Sequence, residues 1–147
     1  MRDAAIVATA RTAVGKAFRG AFNDTPSPVL SAHVVNAVLD RSGIDPARVD
    51  DVYMGTGSQW ATQGFNFGRM TSIASRLPLE VSGMTLDRKC SSGLNAVALA
   101  ARAIRSDEVD VAIAAGAESI SMTMGPYAPR AKGEAQIVLD GDPYTYM

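Results

Sequence analysis

A strand-to-helix turn within residues 83–106 constrains the fold more than any other part of the chain. Residues 84–86 predict a short strand, and apolar side chains then recur at helical spacing and predict a helix that ends near Ser106. The recurring side chains are Leu94, Val97, Ala98, Ala101 and Ile104. Cys90, the only cysteine of the chain, lies at the turn between these two elements.

Cys90 is a candidate nucleophile. Ser91, Ser92 and Gly93 follow it and leave room for another molecule to approach the thiol. The unpaired N–H groups at the start of a helix favour a negative group, and the thiolate is the reactive form of cysteine. A lone cysteine is more often a small buried apolar residue. The polar neighbours and the position at an element junction favour the nucleophile instead.

The other segments alternate between strand and helix patterns. Residues 4–10 are apolar throughout, which predicts a strand buried on both faces. Ser27 and Pro28 predict a helix start with Ser27 as the cap, and Gly43 predicts its end. Further elements are predicted at residues 51–57 (strand), 67–77 (helix) and 109–117 (strand). This alternation indicates an α/β layered fold.

The composition excludes several classes of protein. The formal net charge is −1, with both signs spread along the chain, so there is no basic stripe for nucleic acid and no polybasic segment for a membrane surface. No apolar stretch approaches the roughly 20 residues that span a bilayer, and no signal peptide is evident. A single cysteine excludes an internal disulfide, and no group of side chains has metal-ligand spacing. We therefore expect a cytoplasmic protein without a metal.

Two motifs resemble the thiolases, a family of acetyl-CoA acetyltransferases and 3-ketoacyl-CoA thiolases. One is Asp-Arg-Lys-Cys-Ser-Ser-Gly-Leu-Asn-Ala at residues 87–96, and the other is Asp-Val-Ala-Ile-Ala-Ala-Gly-Ala-Glu-Ser-Ile-Ser at residues 110–121. Arg-Thr-Ala-Val-Gly-Lys at residues 11–16 also resembles the N-terminal signature of the family. Asp87, Ala13 and Asn95 stand where the family often has Asn, Pro and Gln, and none of these differences removes a reacting group.

The resemblance implies the N-terminal half of a thiolase-like layered fold, a βαβαβαβ mixed sheet with helices. It implies a first domain over residues 1–118 and the beginning of an inserted loop region over residues 119–147, where Met147 falls near the acyl-pocket methionine of the family. The implied activity is acyl transfer between CoA thioesters, which cleaves or forms acetoacetyl-CoA or 3-ketoacyl-CoA. Cys90 would carry the acyl group as a thioester, and its backbone N–H would be an oxyanion donor. CoA is then a substrate, and no cofactor is implied.

The family also uses a histidine and a second cysteine from its second half, and this sequence contains neither at a matching position. His33 is the only histidine, has no motif around it and is expected to be an ordinary helix residue. A helix N-terminus stabilises a negative group by about 0.3–1 kcal/mol, which is too little to activate a thiol alone. We therefore expect a thiolase second half as a partner, in the same or another chain, and little turnover from these residues alone.

Several alternatives remain open from the sequence. Residues 59–67 are polar and aromatic, which fits either contact with a second copy, in a homodimer or tetramer, or a loop over the core. Glu118 is either a general base or a structural carboxylate, and in the family its motif supports the fold around the nucleophile. Arg88 and Lys89 either favour the thiolate or face solvent. The competing functions are a ketoacyl-synthase-like condensing enzyme and a non-catalytic half-domain that pairs with another chain.

Overall fold

The computed structural model describes residues 2–124 of the chain. Within this range the helices and strands, in chain order, are α1 Ser27–Ser42, β1 Asp51–Gly55, α2 Phe67–Ala74, β2 Ser82–Leu86, α3 Ser92–Arg105, β3 Ala112–Gly116 and α4 Ile120–Thr123. None of the helices among these residues is long and apolar enough to cross a membrane. Met147 and the rest of the predicted loop region after residue 124 lie outside the described residues, and the boundary at residue 118 stays a prediction.

The three strands form one parallel sheet in the order β2-β1-β3. Gly55, the last residue of β1, lies opposite Leu86 of β2 and Gly116 of β3. The carboxyl ends of all three strands therefore meet at one edge of the sheet. The α/β layered class is confirmed, and the sheet within residues 2–124 has three parallel strands where the resemblance implied four in a mixed sheet.

The prediction of a strand over residues 4–10 is wrong. The segment forms no strand, and the side chains of Ile6 and Val7 are 76% and 70% exposed. The Arg41 guanidinium donates a hydrogen bond to the carbonyl of Thr9 in this segment. An apolar run shows that a segment can be buried, but a strand also needs a neighbour with which to pair. Within residues 2–124 no strand pairs with this segment.

Each face of the sheet has its own apolar core. Val52 and Ile113 are register partners on one face and pack against α1, while Tyr53 and Ala114 are partners on the other face and pack against α3. The α1 side also includes Val35, Leu39, Val49, Leu77 and Val81, and the α3 side includes Leu86, Ala96, Ala100 and Ala103. Burying one Val or Leu side chain contributes about 1.5–3 kcal/mol, so the α1 side supplies most of the apolar stabilisation.

Helix α3 lies close to the sheet because its inward face is made of small residues. The buried residues of α3 are Ser92, Ala96, Ala100 and Ala103. Leu94, in contrast, is 76% exposed and Val97 is 38% exposed. The predicted helix is confirmed, but Leu94 and Val97, two of the larger side chains that indicated it, point away from this sheet.

Helix α1 begins where the sequence predicts, although the role assigned to Ser27 is wrong. The N-cap is Pro26, and no side chain caps the helix. The buried hydroxyl of Ser27 instead hydrogen-bonds with Thr62 at 3.0 Å and donates to Oε1 of Gln63 at 3.2 Å. Gly43 ends the helix in the left-handed conformation, with its N–H donating to the carbonyl of Leu39, as predicted.

Candidate active site

Three loops meet at the carboxyl edge of the sheet. They are residues 56–58 after β1, residues 87–91 after β2 and residues 117–119 after β3. This edge is where ligand sites form in open α/β sheets. Cys90 lies in the second loop, on a 3₁₀ turn from Lys89 to Ser91 that leads directly into α3, and its side chain is exposed. The alternative of a buried apolar cysteine is therefore excluded.

Two glycines allow the first turn of α3 to rest on the ends of β1 and β3. A Cβ on Gly55 would lie 2.3 Å from the carbonyl carbon of Ser92, and a Cβ on Gly116 would lie 2.8 Å from the Cα of Gly93. Both distances are shorter than packed Cβ atoms adopt, so only glycine fits these positions without a shift of the backbone. The contacts place Cys90 directly above the sheet edge.

The residue before Cys90 adopts an unusual backbone conformation. Lys89 has a φ of 50°, in the left-handed region, which costs a residue other than glycine about 1–2 kcal/mol. Its N–H donates to Oδ1 of Asp87 at 2.7 Å, and its ammonium group donates to Oδ2 of Asp87 at 3.0 Å. The backbone N–H is the main reason that the pKa of Asp87 lies below its usual value, and the ammonium group adds to it. Asp87 thus helps to hold the turn.

The backbone N–H of Cys90 is available to an incoming acceptor. Around it, the N–H of Lys89 is bound by Asp87, that of Ser91 by the carbonyl of Arg88, and that of Ser92 by the carbonyl of Lys89. Within the described residues, no hydrogen bond uses the N–H of Cys90. A donor next to an exposed thiol is suited to an oxygen atom of the molecule that the thiol attacks.

Arg88 and Lys89 are both exposed. The Lys89 ammonium group is shared between Asp87 and the carbonyl of Gly57, to which it donates at 3.1 Å. The exposed lysine therefore also connects the loop after β1 to the loop after β2. The sequence had suggested only that it favours the thiolate or faces solvent.

Glu118 lies at the same edge, after β3, and its carboxylate binds both neighbouring loops. Oε2 accepts from the N–H of Gly57 at 2.6 Å, and Oε1 accepts from Nε2 of Gln63 at 2.7 Å. Gln63 is fully buried and was missed by the sequence reasoning, which saw its loop as polar and aromatic. No local pattern marks a glutamine for burial, because three of its partners, Ser27, Glu118 and Ser119, are far away in the chain.

The remaining predicted residues lie elsewhere. His33 is exposed on α1, on the opposite side of the sheet from α3. In the loop at residues 59–67, Trp60 and Phe65 are 39% and 50% exposed, whereas Thr62 and Gln63 are buried. Within residues 2–124, no group of three or more His, Cys, Asp or Glu side chains is arranged to hold a metal ion.

Comparisons with known proteins agree with this geometry. The chain is 43% identical to an acetyl-CoA acetyltransferase from Cupriavidus necator over 82% of this chain and 30% of that protein. It is 40% identical to a 3-ketoacyl-CoA thiolase from Bacillus subtilis over 82% of this chain and 31% of that protein. The crystal structure of the Bacillus anthracis acetyl-CoA acetyltransferase matches with a TM-score of 0.77 at 32% identity, over 82% of this chain and 30% of that one.

The chain therefore spans about 30% of the length of these relatives. Residues 4–142 match the family model described as the thiolase N-terminal domain. This match includes the exposed Cys90 turn and the Glu118 loop, together with nearly all of the described fold. The chain belongs to the thiolase family and corresponds to its N-terminal domain.

Proposed function

We propose that this chain supplies the nucleophile of a thiolase-type acyltransferase, with Cys90 forming the acyl-enzyme. The observation that carries the proposal is the exposed thiol at the start of α3, next to a backbone N–H that no acceptor within residues 2–124 uses. The names of the relatives indicate CoA thioesters as the substrate class. We propose further that CoA is a substrate, that no cofactor takes part and that the protein acts in the cytoplasm.

In the cleavage direction, the sulfur of Cys90 attacks the 3-keto carbon of a 3-ketoacyl-CoA after its proton has passed to a base. A carbon–sulfur bond forms and the bond between Cα and Cβ of the substrate breaks. The electron pair stays on the Cα carbon, which takes a proton to give acetyl-CoA. The thiol of a second CoA molecule then takes the acyl group from Cys90, and Cys90 regains its proton. The condensation direction reverses these steps.

The N–H of Cys90 would stabilise the oxygen of the bound thioester, which gains negative charge as a thiol attacks it. One such donor contributes about 2.7–4 kcal/mol in enzymes where it has been removed. A donor fixed by the start of a helix needs no reorganisation when the charge develops.

The base and the second proton-handling group must come from outside this set of residues. The sequence has one histidine, which lies exposed on α1, and no second cysteine. We propose that a thiolase second half, in the same polypeptide or another chain, supplies both. Apolar side chains are exposed on two separate segments, at Ile6 and Val7 before α1 and at Leu94 on α3. Their exposure supports a partner that would cover them.

The exposed apolar side chains also fit a non-catalytic half-domain that only pairs with another chain. The exposed thiol favours the enzyme over this alternative, and the match to the thiolase N-terminal domain favours a thiolase over a ketoacyl synthase. We propose that the active form is a homodimer or tetramer. The exposed rings of Trp60 and Phe65 support residues 59–67 as a contact between copies.

Acylation of Cys90 tests the function directly. The experiment uses the encoded protein in full, with any residues that follow position 147; if it ends there, the C-terminal two thirds of a related thiolase is added as a separate chain. After incubation with acetyl-CoA, intact mass spectrometry is expected to show the addition of one acetyl group, which Cys90→Ser abolishes. Absence of the adduct in the wild-type protein with its second half present would contradict the enzyme and favour the half-domain.

A further inference from the structure

We propose that Gln63 and Glu118 are positioning residues for Cys90, which act through Gly57 and the backbone turn at Lys89. The proposal rests on the thiolase function proposed above. It gives a role to a hydrogen-bond network, centred on a buried glutamine, whose side chains take no part in the proposed acyl transfer.

Gln63 is the centre of the network. Its side chain is fully buried, yet every polar atom of the amide has a partner. Nε2 donates to Oε1 of Glu118 at 2.7 Å and to the carbonyl of Ser58 at 2.9 Å, and Oε1 accepts from the N–H of Ser119 at 2.5 Å. The amide has only one possible orientation, because the Ser119 N–H can only donate and the Ser58 carbonyl can only accept. Gln63 therefore fixes the loops after β1 and β3 relative to each other.

Glu118 extends this connection towards the nucleophile. One carboxylate oxygen receives the Gln63 amide, and the other receives the N–H of Gly57 at 2.6 Å and the hydroxyl of Thr56 at 3.3 Å. Hydrogen bonds to a charged acceptor are about twice as strong as those between neutral groups. Both oxygens thus face donors, and the charge of Glu118 holds Gly57 in place although the residue as a whole is exposed.

Gly57 connects Glu118 to the turn that carries Cys90. Its carbonyl accepts from the Lys89 ammonium group at 3.1 Å. A Cβ on Gly57 would lie 3.1 Å from Oε2 of Glu118, which is a tight contact, and 3.5 Å from the Cα of Lys89, which is an ordinary one, so the glycine packs between the two residues. Lys89 is the left-handed residue whose φ directs the N–H and thiol of Cys90. A shift of Glu118 therefore moves the backbone next to the nucleophile.

The substitution Glu118→Gln isolates this effect. It keeps the size of the side chain but places an NH₂ group opposite either the Gln63 amide or the Gly57 N–H, so one of the two contacts is lost. Displacement of a reacting group by about 1 Å costs up to 100-fold in rate. We expect kcat for thiolysis of acetoacetyl-CoA to fall about 10- to 100-fold. We expect KM to change by less than about threefold, because in this proposal Glu118 acts on the backbone near Cys90 and not on the substrate.

A second variant reaches the same turn by different chemistry. Gly57→Ala removes no hydrogen-bonding group. It instead places a methyl group 3.1 Å from Oε2 of Glu118 and displaces that carboxylate, and we expect it to lower kcat in the same range. The matched control is Glu80→Gln, the same chemical change at an exposed glutamate outside the network. This control is expected to retain the wild-type kcat. Urea unfolding of all variants at the assay temperature checks that each remains folded.

Alkylation of Cys90 by iodoacetamide gives a readout that needs neither CoA nor catalytic turnover. If the thiol moves relative to the start of α3, its alkylation rate is expected to fall about two- to fivefold in both variants. Unchanged kcat and alkylation in Glu118→Gln and Gly57→Ala, or an equal loss in Glu80→Gln, would overturn the proposal. If the wild-type protein forms no acyl adduct, the thiolase function fails, while the alkylation rates still decide whether Glu118 positions Cys90.

Discussion

Gly55 lies so close to Ser92 that a Cβ on the glycine would be 2.3 Å from the Ser92 carbonyl carbon. Gly55 ends β1, and Ser92 begins α3. The contact therefore sets the height of the Cys90 turn above the sheet, because α3 has a rigid backbone and its first turn follows Cys90 directly. Gly116 makes the equivalent contact from β3.

We expect Gly55→Ala to destabilise the protein by about 1–3 kcal/mol, since the new methyl group forces the helix away from the sheet. The measurement is the free energy of unfolding in urea. The control is Gly93→Ala on the same helix, where a Cβ would meet its nearest atom at 3.5 Å, an ordinary contact. Alanine is the better helix former by about 0.5–1 kcal/mol, so this variant is expected to be neutral or stabilising. Equal effects of the two variants would show that the Gly55 contact is not what limits packing.

Leu94 tests whether α3 is covered by a second half. The side chain is 76% exposed within residues 2–124. If a partner buries it, Leu94→Ser in the complete protein loses about 1.5–3 kcal/mol of apolar stabilisation. The control is Val29→Ser on α1, which is 51% exposed on the opposite side of the sheet, and its effect is expected to stay within about 0.5 kcal/mol. A similarly small effect at Leu94 would mean that this face of α3 stays in water.

Asp50 links the stability of the sheet to pH. Its Oδ2 accepts from the backbone N–H groups of Val111 and Asp110 at 2.9 and 2.8 Å, just before β3. These N–H groups, that of Val111 first, hold the pKa of Asp50 below its usual value. A carboxyl group with a lowered pKa in the folded state stabilises the protein above its unfolded pKa of about 3.9, and this contribution is lost as the pH falls through the folded pKa.

We therefore expect the wild-type protein to lose more stability than Asp50→Asn as the pH falls below about 3.9, because the amide cannot be protonated there. Thermal unfolding at several pH values between neutral and strongly acidic conditions measures the difference. At neutral pH the variant is expected to be less stable than the wild type. Parallel stability curves for the two proteins across the acidic range would rule out this role of Asp50.

Features that depend on a few neighbouring residues were predicted well. The helix end at Gly43 follows from the ability of glycine to take the left-handed conformation, and the start of α3 near Cys90 follows from periodicity and a short strand before it. The exposure of Cys90 agreed with its small polar neighbours. In each case the physical cause lies within about one helical turn of the residue concerned.

Features that depend on distant partners were predicted poorly. Residues 4–10 have the composition of a buried strand, but pairing requires another strand, and none within residues 2–124 pairs with them. Ser27 has the residue type of a helix cap, but Thr62 and Gln63 provide partners for its buried hydroxyl. Residue type limits what a side chain can do, and the fold then selects among those possibilities.

The sequence by itself determined the thiolase-like motif, the alternation of strands and helices and the position of Cys90 at the start of a helix. Only the tertiary structure decided which face of α3 meets the sheet and which groups surround the nucleophile. Glu118 and Gln63 are 55 positions apart in the chain, and they meet because β1 and β3 are parallel neighbours whose carboxyl ends are in register. A hydrogen bond of that kind leaves no local pattern, because its geometry exists only once the sheet has formed.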